Sequence, residues 1–152
     1  MNFFFKTIAL IVIAVSILYA GESNEIVAQQ RTVTTIGILQ GGGSLIGADF
    51  EFLLNDHIGV QVGAGIVGFG AGLNFHFKPS IRSNFISLQY WNQGIGETFT
   101  QSVVGGTYVW RGQSWFTAQL GLGVRVATGE ILKGTQYEDT NVMILYSLGA
   151  YF

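Results

Sequence analysis

The sequence has 152 residues, enough for one domain, and 49% of them are hydrophobic while only 11% are charged. Together with a mean hydropathy of +0.42, this composition is too apolar for an ordinary soluble domain. The net charge of −2 and the lack of a Lys/Arg cluster give no support for a nucleic-acid partner. The absence of cysteine excludes a lipoprotein anchor, a thiol nucleophile and thiolate metal sites.

The N-terminus has the pattern of an export signal. A basic residue precedes an apolar core at residues 8–18, and a small residue suited to cleavage follows at Ala20. This core is shorter than the roughly 20 apolar residues that a membrane-spanning helix needs. Cleavage after Ala28 is the alternative. The predicted organisation is a signal peptide over residues 1–20, a lead-in over residues 21–31 and a single domain over residues 32–152.

Beyond the N-terminus, apolar residues alternate with small or polar ones. In the clearest segment Ile46 and Phe50 face one way and Asp49 the other, which is the period-two pattern of a pleated strand. The parity of the apolar face changes between the third and fourth segments, which requires a turn or a bulge near Val67 and Gly68. Eight strands are predicted, at residues 32–40, 46–54, 58–66, 69–77, 85–91, 101–110, 116–126 and 142–152.

Charged residues avoid the apolar face of every segment, although Asp49, Glu51 and Arg125 lie at mid-strand on the opposite face. A charge that faces lipid costs about 2 to 4 kcal/mol at the membrane midplane. The pattern therefore predicts an all-β fold, an eight-stranded antiparallel up-and-down transmembrane β-barrel. The alternative is a secreted soluble β-sandwich or barrel, whose apolar faces would point inward and would also lack charge.

The connections between strands divide into two sets if both chain ends lie on the periplasmic side. The periplasmic turns are residues 55–57, 78–84 and 111–114, and the external loops are residues 40–44, 67–68, 92–100 and 127–140. Most aromatic residues then collect at periplasmic strand ends, as in an interfacial girdle. This girdle comprises Phe52, Phe75, Phe77, Phe85, Tyr108, Trp110, Trp115, Phe116 and Phe152. A thinner external girdle comprises Phe69, Tyr90 and Phe99.

The chain ends on a strand whose apolar face includes Tyr146, Leu148 and the terminal Phe152. With the signal peptide and the eight amphipathic strands, this ending resembles the small OmpA/OmpX-type outer-membrane β-barrel superfamily over the whole mature chain. The resemblance implies a bacterial outer-membrane location and insertion by an assembly machinery that reads the final strand. The predicted partners are therefore the lipid bilayer and that machinery, and the barrel is expected to be a monomer.

The inward face of the predicted barrel carries the polar side chains. The proposed interior network consists of Asp49, Glu51, Gln61, Asn74, His76, Gln119 and Arg125. Eight strands leave room for side chains or one small ligand, so an open pore is not expected. Glu51 and His76 both lie towards the periplasmic end and are expected to pair. These groups are predicted to satisfy one another inside a closed barrel, as buried polar groups must.

Inward glycines are concentrated in the external half of the barrel. If large neighbours such as Trp91, Met143 and Leu145 cover them, the interior is packed, and this interpretation is preferred. If they are uncovered, they line an apolar pocket for an acyl chain or another small hydrophobic ligand. The candidate pocket residues are Gly63, Gly70, Gly72, Trp91, Gly121 and Gly123.

No pattern of residues predicts catalysis, a cofactor or a metal. Residues 41–43 and 68–72 are glycine-rich, but neither run lies between a parallel strand and a helix, as phosphate-binding loops do. The two histidines have no metal-ligand spacing, and His76 with Ser80 or Ser83 lacks a supporting motif. The predicted function is a non-enzymatic barrel with a structural or surface-interaction role. The alternative is a barrel that binds a lipid or a small hydrophobic ligand.

Overall fold

The computed structural model describes residues 30–95, 99–129 and 141–152, with the backbone alone at Ile95 and Phe99. The predicted signal peptide and most of the predicted lead-in lie outside the described residues. The same holds for residues 96–98 and 130–140, which belong to two predicted external loops.

The described chain forms eight strands and one short helical turn. The strands are β1 (Thr32–Ile38), β2 (Ile46–Leu53), β3 (Ile58–Gly65), β4 (Gly68–His76), β5 (Phe85–Ile95), β6 (Phe99–Arg111), β7 (Phe116–Thr128) and β8 (Val142–Tyr151), and the turn is α1 (Gln40–Gly43). None of the described helical residues forms a helix long and apolar enough to cross a membrane.

The eight strands close into one antiparallel barrel in sequence order. β1 pairs with β8 from Thr35 opposite Tyr151 to Ile38 opposite Leu148. Closure leaves neither terminal strand as a free sheet edge, which removes a surface that would otherwise pair with other chains. The predicted eight-stranded antiparallel barrel is confirmed, and the predicted alternative of a two-sheet sandwich is wrong.

Three strands extend further than the alternation predicted, and β7 ends at Thr128 instead of at residue 126. β5 continues to Ile95 and β6 begins at Phe99, so most of the predicted loop over residues 92–100 is strand. In this region Asn92 pairs with Ser102 and Gln93 with Gln101. These polar residues give no period-two signal, although their backbones complete the ladder.

The change of parity between β3 and β4 comes from a tight hairpin. Gly65 pairs with Gly68, so Ile66 and Val67 form a two-residue connection. The turn lies one residue earlier than the predicted connection at residues 67–68. Because two residues separate the paired glycines, the apolar face keeps its orientation although its numbering changes from even to odd.

The apolar faces of the strands point away from the barrel axis. Leu120 is 63% exposed and Leu122 is 61% exposed, whereas the neighbouring inward residue Gln119 is 8% exposed. Asn74 and Ser87, both inside, are completely buried. A water-soluble protein buries its apolar face, so this arrangement is the reverse of a soluble barrel and leaves a large continuous apolar exterior.

Charged residues within the strands occupy the inward positions. Asp49, Glu51 and Arg111 are buried, and Arg125 lies between the exposed Val124 and Val126. The outward face of the described strands therefore carries no charged residue.

Several aromatic side chains on the outward face lie near the two rims of the barrel, whereas Tyr146 lies at the middle of β8. At the end where β1 begins and β8 ends, here called the near end, Phe77 and Tyr108 have ring centroids 6.1 Å apart, and Trp110 and Phe116 are 5.7 Å apart. At the opposite, far end, the centroids of Phe69 and Tyr90 are 6.4 Å apart. The side chain of Phe99 lies outside the described part.

One predicted member of the girdle is wrong. Phe85 points into the barrel and is 1% exposed, and its ring centroid lies 4.7 Å from that of His76. The side chains that alternate outward on β5 are Ile86 and Leu88. Phe85 is therefore part of the interior packing.

Both ends of the barrel are covered by chain that folds inward. At the near end the connection between β4 and β5 places Ile81 in a buried cluster with Val33, Leu53 and Tyr151. At the far end residues 40–44, here called the inward loop, are all buried. The prediction of residues 40–44 as an external loop is thus wrong in direction, because the loop turns into the lumen instead of towards solvent.

Candidate functional site

The charged groups inside the near half of the barrel meet at Glu51. Nη2 of Arg111, from β6, lies 2.6 Å from Oε2 of this carboxylate, and Nε2 of His76, from β4, lies 2.8 Å from Oε1. All three side chains are almost completely buried. Because a buried carboxylate loses its hydration, the guanidinium supplies the counter-charge and the imidazole supplies a second hydrogen bond.

Arg111 links this cluster to the connection between β4 and β5 that covers the near end. Its Nη1 donates to the carbonyl oxygen of Ile81. Its guanidinium also lies over two inward aromatic rings, with Cζ 4.7 Å from the centroid of Phe85 and 5.3 Å from that of Tyr151. The planar guanidinium thus uses its edge for hydrogen bonds and its faces for ring contacts.

His76 connects Glu51 to the loop that follows β4. Its Nδ1 lies 3.1 Å from the hydroxyl oxygen of Ser83. That hydroxyl is also 3.2 Å from the carbonyl oxygen of Lys78 and 3.1 Å from that of Asn84. If Nε2 carries the ring proton and donates to Glu51, Nδ1 is the acceptor and the Ser83 hydroxyl is the donor.

Asn74 extends the network towards the middle of the barrel. Its Nδ2 lies 2.5 Å from Oε1 of Glu51 and 3.1 Å from Oε1 of Gln61. Its Oδ1 accepts a hydrogen bond of 2.5 Å from Ser87. Four of the predicted network residues, Glu51, Gln61, Asn74 and His76, are therefore brought together.

Gln119 belongs to a separate pair at the middle of the lumen. Nε2 of Gln89 donates to Oε1 of Gln119 over 3.1 Å, and Nε2 of Gln119 donates in return to Oε1 of Gln89 over 3.3 Å. The indole N–H of Trp91 also donates to Oε1 of Gln89, over 2.6 Å. This chain of amides satisfies polar groups where water would otherwise be required.

Asp49 holds the inward loop. Its Oδ2 accepts a hydrogen bond of 3.0 Å from the backbone N–H of Gly41. On other sides of the loop, Nε2 of Gln93 donates to the carbonyl of Gly43 over 3.0 Å, and the hydroxyl of Ser44 accepts from the N–H of Val67 over 2.9 Å. Contacts from β2, β5 and the β3–β4 turn therefore fix the loop inside the barrel.

The loop can enter only because it carries glycines. Gly42 has φ +78°, and a Cβ there would collide with the backbone carbonyl of Phe69. Gly41, with φ +65°, would collide with the carbonyl of Ala64. Both the left-handed backbone and the close approach to neighbouring strands require a residue without a side chain.

The glycine-lined space in the far half is filled. A Cβ at Gly63 or Gly70 would meet the inward loop, and one at Gly72 would meet the side chains of Ser87 and Gln89. At Gly121 it would meet Thr107, and at Gly123 it would meet Val103 and Leu145. The expected packing of Trp91 against Leu145 and Met143 is also present, in a cluster with Val103. The candidate pocket residues thus lie against protein atoms, and much of the filling comes from the loop instead of from large side chains alone.

Arg125, like Gln119, lies apart from the predicted network residues that meet at Glu51. Arg125 pairs with Val103 in the register and lies towards the far end, whereas Thr117, at the near end of the same strand, pairs with Arg111. Arg125 is therefore not part of the Glu51 cluster.

Three residues of the near-end network were not predicted. Arg111 was placed in a turn, and Ser83 and Ile81 in a polar connection. Arg111 has the same parity as Thr107 and Val109 on β6, both buried, so extending the alternation by one step would have placed it inside. No comparable signal exists for Ile81 and Ser83, because their positions depend on a loop that folds back over the lumen.

The Glu51–His76–Ser83 series has the connectivity of an acid–base relay, with carboxylate, imidazole and hydroxyl in order. Two features differ from an activated nucleophile: Arg111 binds the same carboxylate, and the carbonyl oxygens of Lys78 and Asn84 compete with Nδ1 of His76 for the single proton of the Ser83 hydroxyl. Among the described residues, no group of three His, Asp or Glu side chains is arranged to hold a metal ion.

Comparison of the chain with protein-family models gives no match, and comparisons with curated proteins and with solved structures give none either.

Proposed function

We propose that this chain is a small bacterial outer-membrane β-barrel with a structural or surface-interaction role. The observation that carries the proposal is the reversal of a soluble core: charge-free apolar side chains cover the outside of the strands, and polar groups fill the inside. Lipid is the solvent that suits such an exterior. The outward aromatic side chains near both rims fit the interfacial zones of a bilayer. The architecture is compatible with small OmpA/OmpX-type barrels.

The interior supports a closed barrel and not a pore. The near end is covered by Ile81 and its cluster, the far end by the inward loop, and the middle by the Gln89–Gln119 pair. An eight-stranded barrel has an interior narrow enough for side chains to fill, so this packing supports a closed barrel. Any role is therefore expected to depend on the outer surface or on the rims, where partners are accessible.

Insertion by an assembly machinery is part of the proposal. Tyr146 and Leu148 in β8, and Phe152 directly after it, face outward and are more than half exposed. They form a continuous apolar edge that is accessible before β8 pairs with β1. A monomer is the proposed state, because β1 and β8 close the sheet on itself.

The alternative of a hydrophobic ligand in the glycine-lined pocket has lost its main support. Gly63 and Gly70, which would form one wall of that pocket, face the inward loop instead of empty space. A ligand at this position would have to displace residues 40–44. We therefore retain the packed interior as the proposed state.

The test is extraction and electrophoresis of the protein expressed in a Gram-negative host. We expect the protein in the outer-membrane fraction, soluble only with detergent. We also expect its electrophoretic mobility to change on boiling, because a closed barrel stays folded in a denaturing detergent until it is heated. Recovery in a detergent-free soluble fraction would contradict the membrane assignment. A folded, detergent-dependent protein whose band does not shift on boiling would contradict the closed, detergent-resistant barrel.

A further inference from the structure

A cavity of about 430 Å³ lies at the near end of the barrel. One side is formed by the connection between β4 and β5, including Lys78 and Arg82, and the other by Arg111 and Gly112 at the turn after β6. This volume is within the range of small-molecule sites, which are commonly about 300 to 1,000 Å³. The cavity is separate from the glycine-lined space at the far end.

The lining of this cavity is cationic. Lys78, Arg82 and Arg111 contribute three positive charges, and none of the described residues that line the cavity is a carboxylate. Glu51 lies deeper in the barrel and offsets the charge of Arg111, so among the described lining residues the charges of Lys78 and Arg82 are not offset. Such a concentration of charge favours an anion.

Two of these cations share one aromatic ring. Cζ of Arg82 lies 5.6 Å from the centroid of Tyr151, and Cζ of Arg111 lies 5.3 Å from the same centroid. The hydrogen bonds of Arg82 go to neutral acceptors, the side-chain oxygen of Gln30 at 3.1 Å and the carbonyl of Ser114 at 3.4 Å. Neither acceptor of Arg82 is charged, so its guanidinium keeps its full positive charge at the cavity.

The guanidinium of Arg111 is largely committed to partners inside the barrel. Nη1 and Nη2 are used by Ile81 and Glu51, but the buried Nε has no hydrogen-bond partner among the described residues. The whole residue is 7% exposed. Arg111 therefore contributes its positive charge to the cavity wall, and the donors that a ligand can reach are those of Lys78 and Arg82, whose side chains are exposed.

The cavity also reaches the outer surface of the barrel. Phe77, which is 56% exposed and packs against Tyr108, forms part of its wall. An anion bound here would therefore lie beside the outward apolar face, in the position that the headgroup of a lipid occupies relative to its acyl chains.

We propose that this near-end cavity binds a phosphate group, with Lys78 and Arg82 as donors and the guanidinium of Arg111 adding positive charge to the wall. Arg and Lys are the side chains that bind phosphate oxygens through charge-assisted hydrogen bonds. The phosphate comes either from the headgroup of a lipid or from a soluble phosphate compound. This site goes beyond the proposed role of the barrel. Binding of phosphate can be measured on folded protein in detergent, so the test does not depend on which membrane the protein occupies.

Isothermal titration of the folded full-length protein in a neutral detergent tests the proposal. The probes are inorganic phosphate, a short-chain phosphatidic acid and the matching diacylglycerol without phosphate, all at constant ionic strength. We expect saturable binding of at least one phosphate probe and none of the diacylglycerol. The double variant K78Q/R82Q keeps Arg111 paired with Glu51, and we expect it to bind at least about tenfold more weakly, because two charge-assisted contacts are lost.

Arg31→Gln is the matched control, since Arg31 is exposed near the same end but does not line the cavity. We expect its affinity to remain within twofold of the wild type. Tighter binding of phosphatidic acid than of inorganic phosphate would assign the site to a lipid headgroup, and equal or weaker binding would assign it to a soluble phosphate. Absence of saturable binding, equal binding of diacylglycerol, or unchanged affinity in K78Q/R82Q would overturn the proposal.

Discussion

Nη2 of Arg111 and Oε2 of Glu51 lie 2.6 Å apart across the lumen, joining β6 to β2. These strands are not neighbours in the sheet, so the ion pair connects opposite walls of the barrel. It also connects both walls to the β4–β5 connection, since Arg111 donates to the carbonyl oxygen of Ile81. The pair therefore joins β2, β6 and the β4–β5 connection in the near half of the interior.

Breaking this pair on one side is expected to be costly. Arg111→Met leaves Glu51 buried without its counter-charge, and we expect the free energy of unfolding to fall by about 3 to 5 kcal/mol. Arg82→Gln, which removes an exposed guanidinium at the same end, is the control and is expected to change it by less than about 1 kcal/mol. The measurement is urea-induced unfolding in lipid vesicles.

The double variant E51Q/R111M separates pairing from packing. Removing both charges leaves no ion buried alone, so we expect it to be more stable than R111M. Equal loss in R111M and E51Q/R111M would show that the guanidinium acts through its contacts with Phe85 and Tyr151 and not through the ion pair.

The inward loop gives a second prediction. Gly42→Ala places a Cβ against the carbonyl of Phe69 at a positive φ, and we expect a loss of about 1 to 3 kcal/mol or expulsion of the loop. Gly106→Ala is the matched control, because a Cβ at Gly106 meets no atom within 4 Å. Unfolding measurements on both variants check this, and an equal effect of the two substitutions would contradict an inward loop at residues 40–44.

The period-two pattern was sufficient to predict the closed barrel, because each strand has one apolar and one polar or small face. It predicted β2 from the alternation around Asp49 and the β3–β4 turn from a change of parity. It also predicted that Leu120 lies on the outward face of β7. These features depend on residues within one strand or one turn, so the local sequence pattern predicts them.

The pattern failed where the fold depends on non-local contacts. Residues 40–44 resemble any glycine-rich turn, and only the three-dimensional space beside Gly63 and Gly70 decides that they enter the lumen. Ile81 is an apolar residue in a polar connection, and its burial depends on Val33 and Tyr151, which are distant in sequence. Phe85 was assigned by residue type alone, although its alternation with Ile86 and Leu88 indicates the inward side.

Ser83 tests the proposed absence of catalysis. Because its hydroxyl is held by Lys78 and Asn84, we expect no labelling by a fluorophosphonate probe that reacts with activated serines. We expect Ser83→Ala to lower the free energy of unfolding by about 1 to 3 kcal/mol, since it removes a buried partner of His76. Ser80→Ala, in the same loop, should have a smaller effect. Labelling that disappears only in S83A would show that the Glu51–His76–Ser83 series is catalytic.

The terminal aromatic residue is expected to act during assembly. Phe152→Ser should reduce the amount of heat-modifiable barrel in the outer membrane of cells without preventing export. Phe77→Ser is the control, because Phe77 has similar exposure at the same end but does not belong to β8. If both variants assemble equally, the final strand has no special part in recognition by the assembly machinery.

The lipid face is tested by introducing one charge at two depths. Leu120 faces outward and pairs with Tyr146 at the middle of β8. Leu120→Arg should therefore place a guanidinium near the hydrocarbon centre and make folding into bilayers less favourable by about 2 to 4 kcal/mol. Leu54 is similarly exposed but follows β2 at the near end, where the expected cost is at most about 1 kcal/mol. In a soluble barrel both leucines would contact water, and the two substitutions would have similar, small effects. Refolding titrations into vesicles therefore distinguish the two environments: a depth-dependent cost supports the membrane assignment, and equal costs at Leu120 and Leu54 would remove its main physical support.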